Sequence, residues 1–208
     1  MKYTMYYKEC NMITTEKYEL MKQNILEEQN KKKFDNYTLR KLQFIGLSNL
    51  ETSPNYSLCI KDLDDTKIYL EKKYTQNDIN YKKCTALTRE ECQKILDGDI
   101  LWLKNHKKEL LADFYRQTTL NCLRPGHLTD YKCELIKCKK EGYVKFLKKI
   151  NRAVGTENGL FDKPDMTISC LNEGRVLVTY KKEITLPDMI NNMLQNQEEQ
   201  TEDLAFAF

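Results

Sequence analysis

Lysine dominates the residues that could do chemistry. Basic runs stand at Lys31–Lys33, Lys72–Lys73, Lys82–Lys83, Lys137–Lys140 and Lys145–Lys149. Ammonium groups gathered in this way favour polyanions, because focused positive charge raises the local concentration of negative ligands. The plainer reading is solvated strand edges and helix faces. With 34 Lys and Arg against 31 Asp and Glu the net charge is only +3. That balance argues against a nucleic-acid binder, even though tyrosines interleave with lysines between Tyr69 and Tyr81.

Other chemistries find little support. Eight cysteines stand at positions 10, 59, 84, 92, 122, 133, 138 and 170 with no CxxC pair among them. His106 and His127 are not at finger spacing, so no metal site is predicted from Cys and His. Cys133 follows His127 by six residues, which reads as a packed cysteine rather than a thiol catalyst. There is no glycine-rich P-loop and no GxSxG elbow. No apolar run approaches the ~18 residues that a membrane-spanning helix needs. Met1-Lys2-Tyr3-Thr4 lacks the apolar stretch of a secretion signal, which predicts a cytoplasmic protein with reduced thiols.

The elements that must position these groups follow from periodicity. Met5 to Met12 reads as a first strand, and Thr14-Thr15-Glu16-Lys17 opens a helix with Tyr18, Met21 and Ile25 at helical spacing. Tyr37 to Phe44 alternates with period two, as a half-buried strand does. Further strands are predicted over 56–61, 67–74 and 79–85, the last two joined by a hairpin turn at Gln76-Asn77-Asp78. Thr88-Arg89-Glu90-Glu91 is a capping box that starts a helix. Gly98 interrupts it, and an apolar stripe resumes from Ile100 through Trp102, Leu110, Leu111 and Phe114. Strands follow over 128–137, 142–149 and 175–183. Leu186-Pro187-Asp188 caps a last helix through Leu194, and residues 195–208 form an acidic, flexible tail. About eight short strands with a helical middle predict an α+β fold built on one antiparallel sheet.

Several of these segments, in order, resemble the VTC-type polyphosphate polymerase domain. In the second half these are Glu91 to Asp99, Leu110 to Tyr115, Leu123-Arg124-Pro125 and Thr129-Asp130-Tyr131-Lys132, the last similar to "VDYxR". Gly142 to Lys145 resembles "GNVRIT", Asn151-Arg152 resembles "DLRT", and Gly159 to Asp162 and Leu186 to Ile190 complete the order. In the first half, Asn11 to Thr14 resembles "YLIT", Tyr37 to Leu42 resembles "YTIRNLYFD", Ile68 to Tyr74 resembles "FLELKKKY" and Tyr81-Lys82-Lys83 resembles "YKRR". The resemblance implies one domain over 1–194, a closed antiparallel β-barrel of the triphosphate-tunnel type with flanking helices. It implies transfer of the γ-phosphoryl group of ATP to a polyphosphate chain, with Mg²⁺ or Mn²⁺ as cofactor in an active member. Phosphoryl transfer relies on charge neutralisation and positioning, which suits a basic tunnel.

On that alignment Lys61, Lys72, Lys82, Lys83, Lys145, Arg152 and Lys181 keep a positive charge and are the expected phosphate ligands. Cys59, Cys84 and Cys133 stand where arginines are expected. Leu70 and Thr179 stand where metal carboxylates are expected, with Glu71 one residue away and turned outward. The first-strand motif "RYExK" falls on Tyr6 to Cys10 and loses its arginine, glutamate and lysine. Lysine does not reproduce the bidentate fork of arginine, and Mg²⁺ needs oxygen ligands. The alignment therefore implies a divergent domain that binds polyphosphate or a nucleoside triphosphate with weak or no catalysis and holds no metal. An active polymerase, and a structural or protein-binding domain whose tunnel is filled by side chains, stay open beside it.

Overall fold

The computed structural model describes residues 2–6, 8–28, 30, 33–47, 54–76, 79–137, 143–155 and 159–181. The predicted C-terminal helix and acidic tail lie outside them. The strands are β1 (Lys2–Tyr6), β2 (Lys8–Thr14), β3 (Asp35–Ile45), β4 (Asn55–Lys61), β5 (Ile68–Gln76), β6 (Ile79–Leu87), β7 (Arg124–Lys137), β8 (Tyr143–Ala153), β9 (Thr167–Ser169) and β10 (Arg175–Lys181). The helices are α1 (Thr15–Glu28), α2 (Arg89–Leu96) and α3 (Glu109–Asn121), with a 3-10 turn at Leu101–Leu103.

Nine strands form one hydrogen-bonded path, β1-β6-β5-β4-β3-β7-β8-β10-β2, and β9 pairs with β8 beside it. This corrects the closed barrel that the resemblance implies: the path has two ends, and the sheet is not closed. The N-terminal stretch divides its pairing between two strands. Residues 2–6 pair with β6 and residues 8–14 with β10, so each half has a ladder on one side among the described residues.

Contacts divide the chain into two compact units: residues 1–6, 38–130 and 151–168, and residues 7–37, 131–150 and 169–208. In the first unit, alternation places Leu42, Tyr56, Leu58, Ile60, Ile68 and Leu70 on one sheet face. There they pack with Ile95 of α2 and Leu110, Leu111 and Phe114 of α3. Phe114 meets Phe44 edge-on at 4.9 Å and Tyr56 at 5.4 Å. Helix α2 begins as predicted. The Thr88 side chain accepts from the Glu91 backbone, and the Glu91 carboxylate accepts from the Thr88 backbone. Gly98, at φ 78°, takes the left-handed conformation that ends it.

In the second unit, Tyr18, Met21 and Ile25 of α1 are buried as their spacing predicts. They pack on Phe34, Ile136, Val144, Phe146, Val176 and Val178. The opposite face of the same strands carries Met12, Cys133, Leu135, Leu147 and Leu177 in a separate apolar cluster.

Candidate anion-binding face

Register decides which side chains of β3–β6 share a face. Lys41 lies opposite Cys59, and Cys59 opposite Tyr69. Gln43 lies opposite Ser57, Ser57 opposite Glu71, and Glu71 opposite Cys84. Lys73 lies opposite Lys82. Cross-strand partners point the same way, so these residues occupy the face turned away from α2 and α3. Glu71 is its one carboxylate among these rows. Its side chain is only 4% exposed, and its Oε1 stands 3.4 Å from the Lys73 ammonium and 3.9 Å from that of Lys41. Lys82 closes directly on Oε2.

Electrostatics in this cluster follow from burial and mutual charge. Burial pushes the Glu71 carboxyl up, but the ammonium groups of Lys73, Lys82 and Lys41 outweigh it and hold it well below the ordinary carboxylate value. Burial, then the like charge of Lys73, draws Lys41 down to about 7 against the pull of Glu71. Burial also works against Lys82, yet the Glu71 charge keeps it above the ordinary lysine value. Burial and then the Glu71 charge push the Cys59 thiol up to about 12. That thiol stays protonated at neutral pH, unlike a reactive cysteine.

The predicted phosphate ligands are thus divided between two faces. Lys61 and Lys82 stand on the face turned away from the helices. Lys72 and Lys83 stand opposite one another on the helix-packed face. There the Lys72 ammonium meets Asp113 of α3 at 2.6 Å, and that of Lys83 lies 3.9 Å from Glu109. They do not share a face with Lys82, because in β5 the apolar Ile68 and Leu70 pack toward the helices and carry Lys72 with them. The same register corrects the outward placing of Glu71. Arg152 is exposed and lies against the ring of His127. Lys145 pairs with Thr179 and lies 5.0 Å from the Tyr143 ring centre. Lys181 pairs in register with Lys8; both Lys145 and Lys181 belong to the second unit.

Two residues missed by motif matching, Lys41 and Lys73, complete the cluster. The signal was present in Tyr69-x-Glu71-x-Lys73, an alternating polar row opposite the apolar row of Ile68 and Leu70.

Two further charged groups are committed to the fold. Arg40 donates from Nε and Nη2 to Asp130, each at 2.8 Å, and from Nη1 to the Asp162 carbonyl at 2.5 Å. In the second unit, Tyr18 donates to Glu134 at 2.8 Å, and Lys22 and Lys148 both bind the same carboxylate.

Divalent metal does not fit this arrangement. Both oxygens of Glu71, and both of Glu134, face ammonium groups that would repel a cation. Among the described residues no three His, Cys, Asp or Glu side chains converge. No helix of the described residues is long and apolar enough to cross a membrane.

Comparison with solved structures is informative about the fold. A candidate adenylate cyclase from Bacillus halodurans superposes with a TM-score of 0.60 at 9% identity, covering 100% of both chains. A candidate adenylyl cyclase from Hippeastrum, with a dominant triphosphatase activity, superposes with a TM-score of 0.52 at 8% identity. That match covers 92% of this chain and 84% of the other. The chain shares the fold of these proteins. No family model matches the sequence, and no curated protein does.

Proposed function

We propose that the chain binds a triphosphate-bearing anion, inorganic polyphosphate or a nucleoside triphosphate, on the face formed by β3–β6, with weak or no turnover. The observation that carries this reading is the convergence of Lys41, Lys73 and Lys82 on one sheet face around a single carboxylate. Positive charge exceeds negative charge there, and the charge is partly desolvated, which strengthens its pull on a phosphate chain. The fold shared with a triphosphatase supports the same ligand class. The order of motifs supports a divergent relative of the VTC-type polymerases. Weak turnover follows from chemistry: the carboxylates that would hold a metal are held by lysine, and lysine lacks the arginine fork.

Titration calorimetry with tripolyphosphate and with ATP, at low and at moderate ionic strength, tests the binding. We expect affinity that falls as salt rises. Incubation with ATP and Mn²⁺, followed by gel analysis of chain products, tests the turnover. Robust metal-dependent synthesis would overturn the weak-turnover reading.

A second reading, a structural or protein-binding domain with its tunnel filled, draws on the burial of Lys41, Ser57, Cys59 and Glu71 on this face. Absence of anion binding at low salt would favour it.

A further inference from the structure

A lysine ammonium has three donors and no acceptor, so every oxygen that approaches it competes with the others. On β5 the Glu71 carboxylate already draws on the charge of three lysines, binding Lys82 on one oxygen and facing Lys73 at 3.4 Å and Lys41 at 3.9 Å with the other. Its cross-strand neighbours on the same face, Ser57 and Cys84, carry no formal charge that could offset it. The carboxylate is deeply buried, so water does little to screen it.

A phosphate chain reaching this face needs those same ammonium groups. A metal ion travelling with that chain would meet Glu71 only from within the ring of lysines, where its charge is repelled. A carboxylate that served as a metal ligand would instead turn an oxygen away from its lysines.

The geometry points to Glu71 as a resident counter-anion that keeps Lys41, Lys73 and Lys82 assembled and competes with the ligand, so that the face takes the metal-free polyphosphate anion in preference to its magnesium complex. This rests on the anion-binding reading above. Glu71 then sets the affinity: it lets the lysines fold together in the empty state and yields part of their donors when phosphate arrives.

The test is calorimetric titration of the full chain with tripolyphosphate at low ionic strength, in EDTA and in excess Mg²⁺, for the native protein and for Glu71→Gln. We expect native affinity to be at least threefold weaker in Mg²⁺ than in EDTA. We expect Glu71→Gln to bind the free anion about tenfold more tightly, since the amide removes the competing negative charge and one acceptor oxygen. Tighter native binding in Mg²⁺ overturns the inference, as does a folded Glu71→Gln protein that binds no better than native. In both cases the anion-binding reading stands. Absence of binding by both proteins in every condition overturns that reading, and this inference with it. Binding by Glu71→Gln alone supports the inference, with the native lysines fully masked. Circular dichroism establishes whether Glu71→Gln folds; if it does not, the magnesium comparison on native protein decides.

Discussion

Lys72 and Lys73 are consecutive in β5 and serve opposite faces of the sheet. Lys72 reaches Asp113 of α3, while Lys73 turns to Glu71 and pairs across from Lys82. A shift of one residue in a strand exchanges every side chain between faces. The whole assignment of the candidate site turns on that shift.

The two lysines therefore separate in an anion-binding experiment. Lys73→Ala and Lys82→Ala should each weaken tripolyphosphate binding about tenfold, as expected for one charge-assisted contact. Lys72→Ala should leave the affinity within about twofold, because a residue on the far face offers no donor to the ligand. Titration at one low salt concentration compares all three.

Lys41 supplies a pH signature. Its value is drawn down to about 7 by burial and by Lys73, with Glu71, Cys59 and Lys82 as the other groups facing it. Between about 7 and the ordinary lysine value of 10.5, the unfolded chain holds a proton that the folded chain lacks. Stability should therefore rise with pH across that window, and the cost should be fully present below it. Urea unfolding at pH 7, 8.5 and 10 measures the slope, and Lys41→Met should flatten it. Anion affinity should move the other way, rising as pH falls through about 7 and Lys41 gains its charge.

Asp113 ties the helix to the sheet. It accepts from Tyr56 and Lys72 at 2.5 and 2.6 Å and from Arg116 at 3.2 Å. Burial works against its charge, but the bonds from Lys72 and Tyr56 hold its carboxyl below the ordinary 3.8. Asp113→Asn should cost about 1.5–3 kcal/mol at pH 7, the range for hydrogen bonds to a charged group. The contribution is present above the unfolded value and is lost as pH falls through the folded one. The gap between variant and native should thus close in acid, which urea midpoints at pH 7 and pH 3 will show.

The start of α2 offers a local test. Thr88→Ala removes one half of the reciprocal capping pair with Glu91. We expect a loss of about 1 kcal/mol, read as a lower urea midpoint with an unchanged slope. Anion affinity should not change, since Thr88 lies outside the lysine cluster.

Much of this was legible in the sequence, and the reasons differ from element to element. Tyr18, Met21 and Ile25 announced α1 because a helix that buries one stripe repeats its apolar residues at that spacing. Thr88 and Glu91 marked the start of α2 for the same local reason. The strands were found where Val, Ile, Leu and Tyr alternate with polar groups. The face of β5 was misread because matching Leu70 to a carboxylate position overrode the alternation around it. Ile68 and Leu70, both buried, already held the answer. Lys41 was invisible locally. A buried lysine looks like any strand lysine until Glu71, thirty residues later in the chain, is known to face it. Nor does periodicity tell whether a sheet closes, since that depends on how the first stretch shares its pairing between β6 and β10.

That shared pairing bears on how the molecule is made. β1 finds its partner β6 around Lys82 to Cys84, while β2 must wait for β10, whose Arg175 pairs with Thr14. A ribosome therefore delivers β2 long before its ladder with β10 can form. Until then β2 presents an unsatisfied edge, the kind of surface that recruits other strands. Contacts so remote in the chain also slow the final step of folding, since the loop entropy is lost before the ladder stabilises anything. β2 is thus made well before its partner and secured late, and chaperones have most reason to hold the nascent chain there.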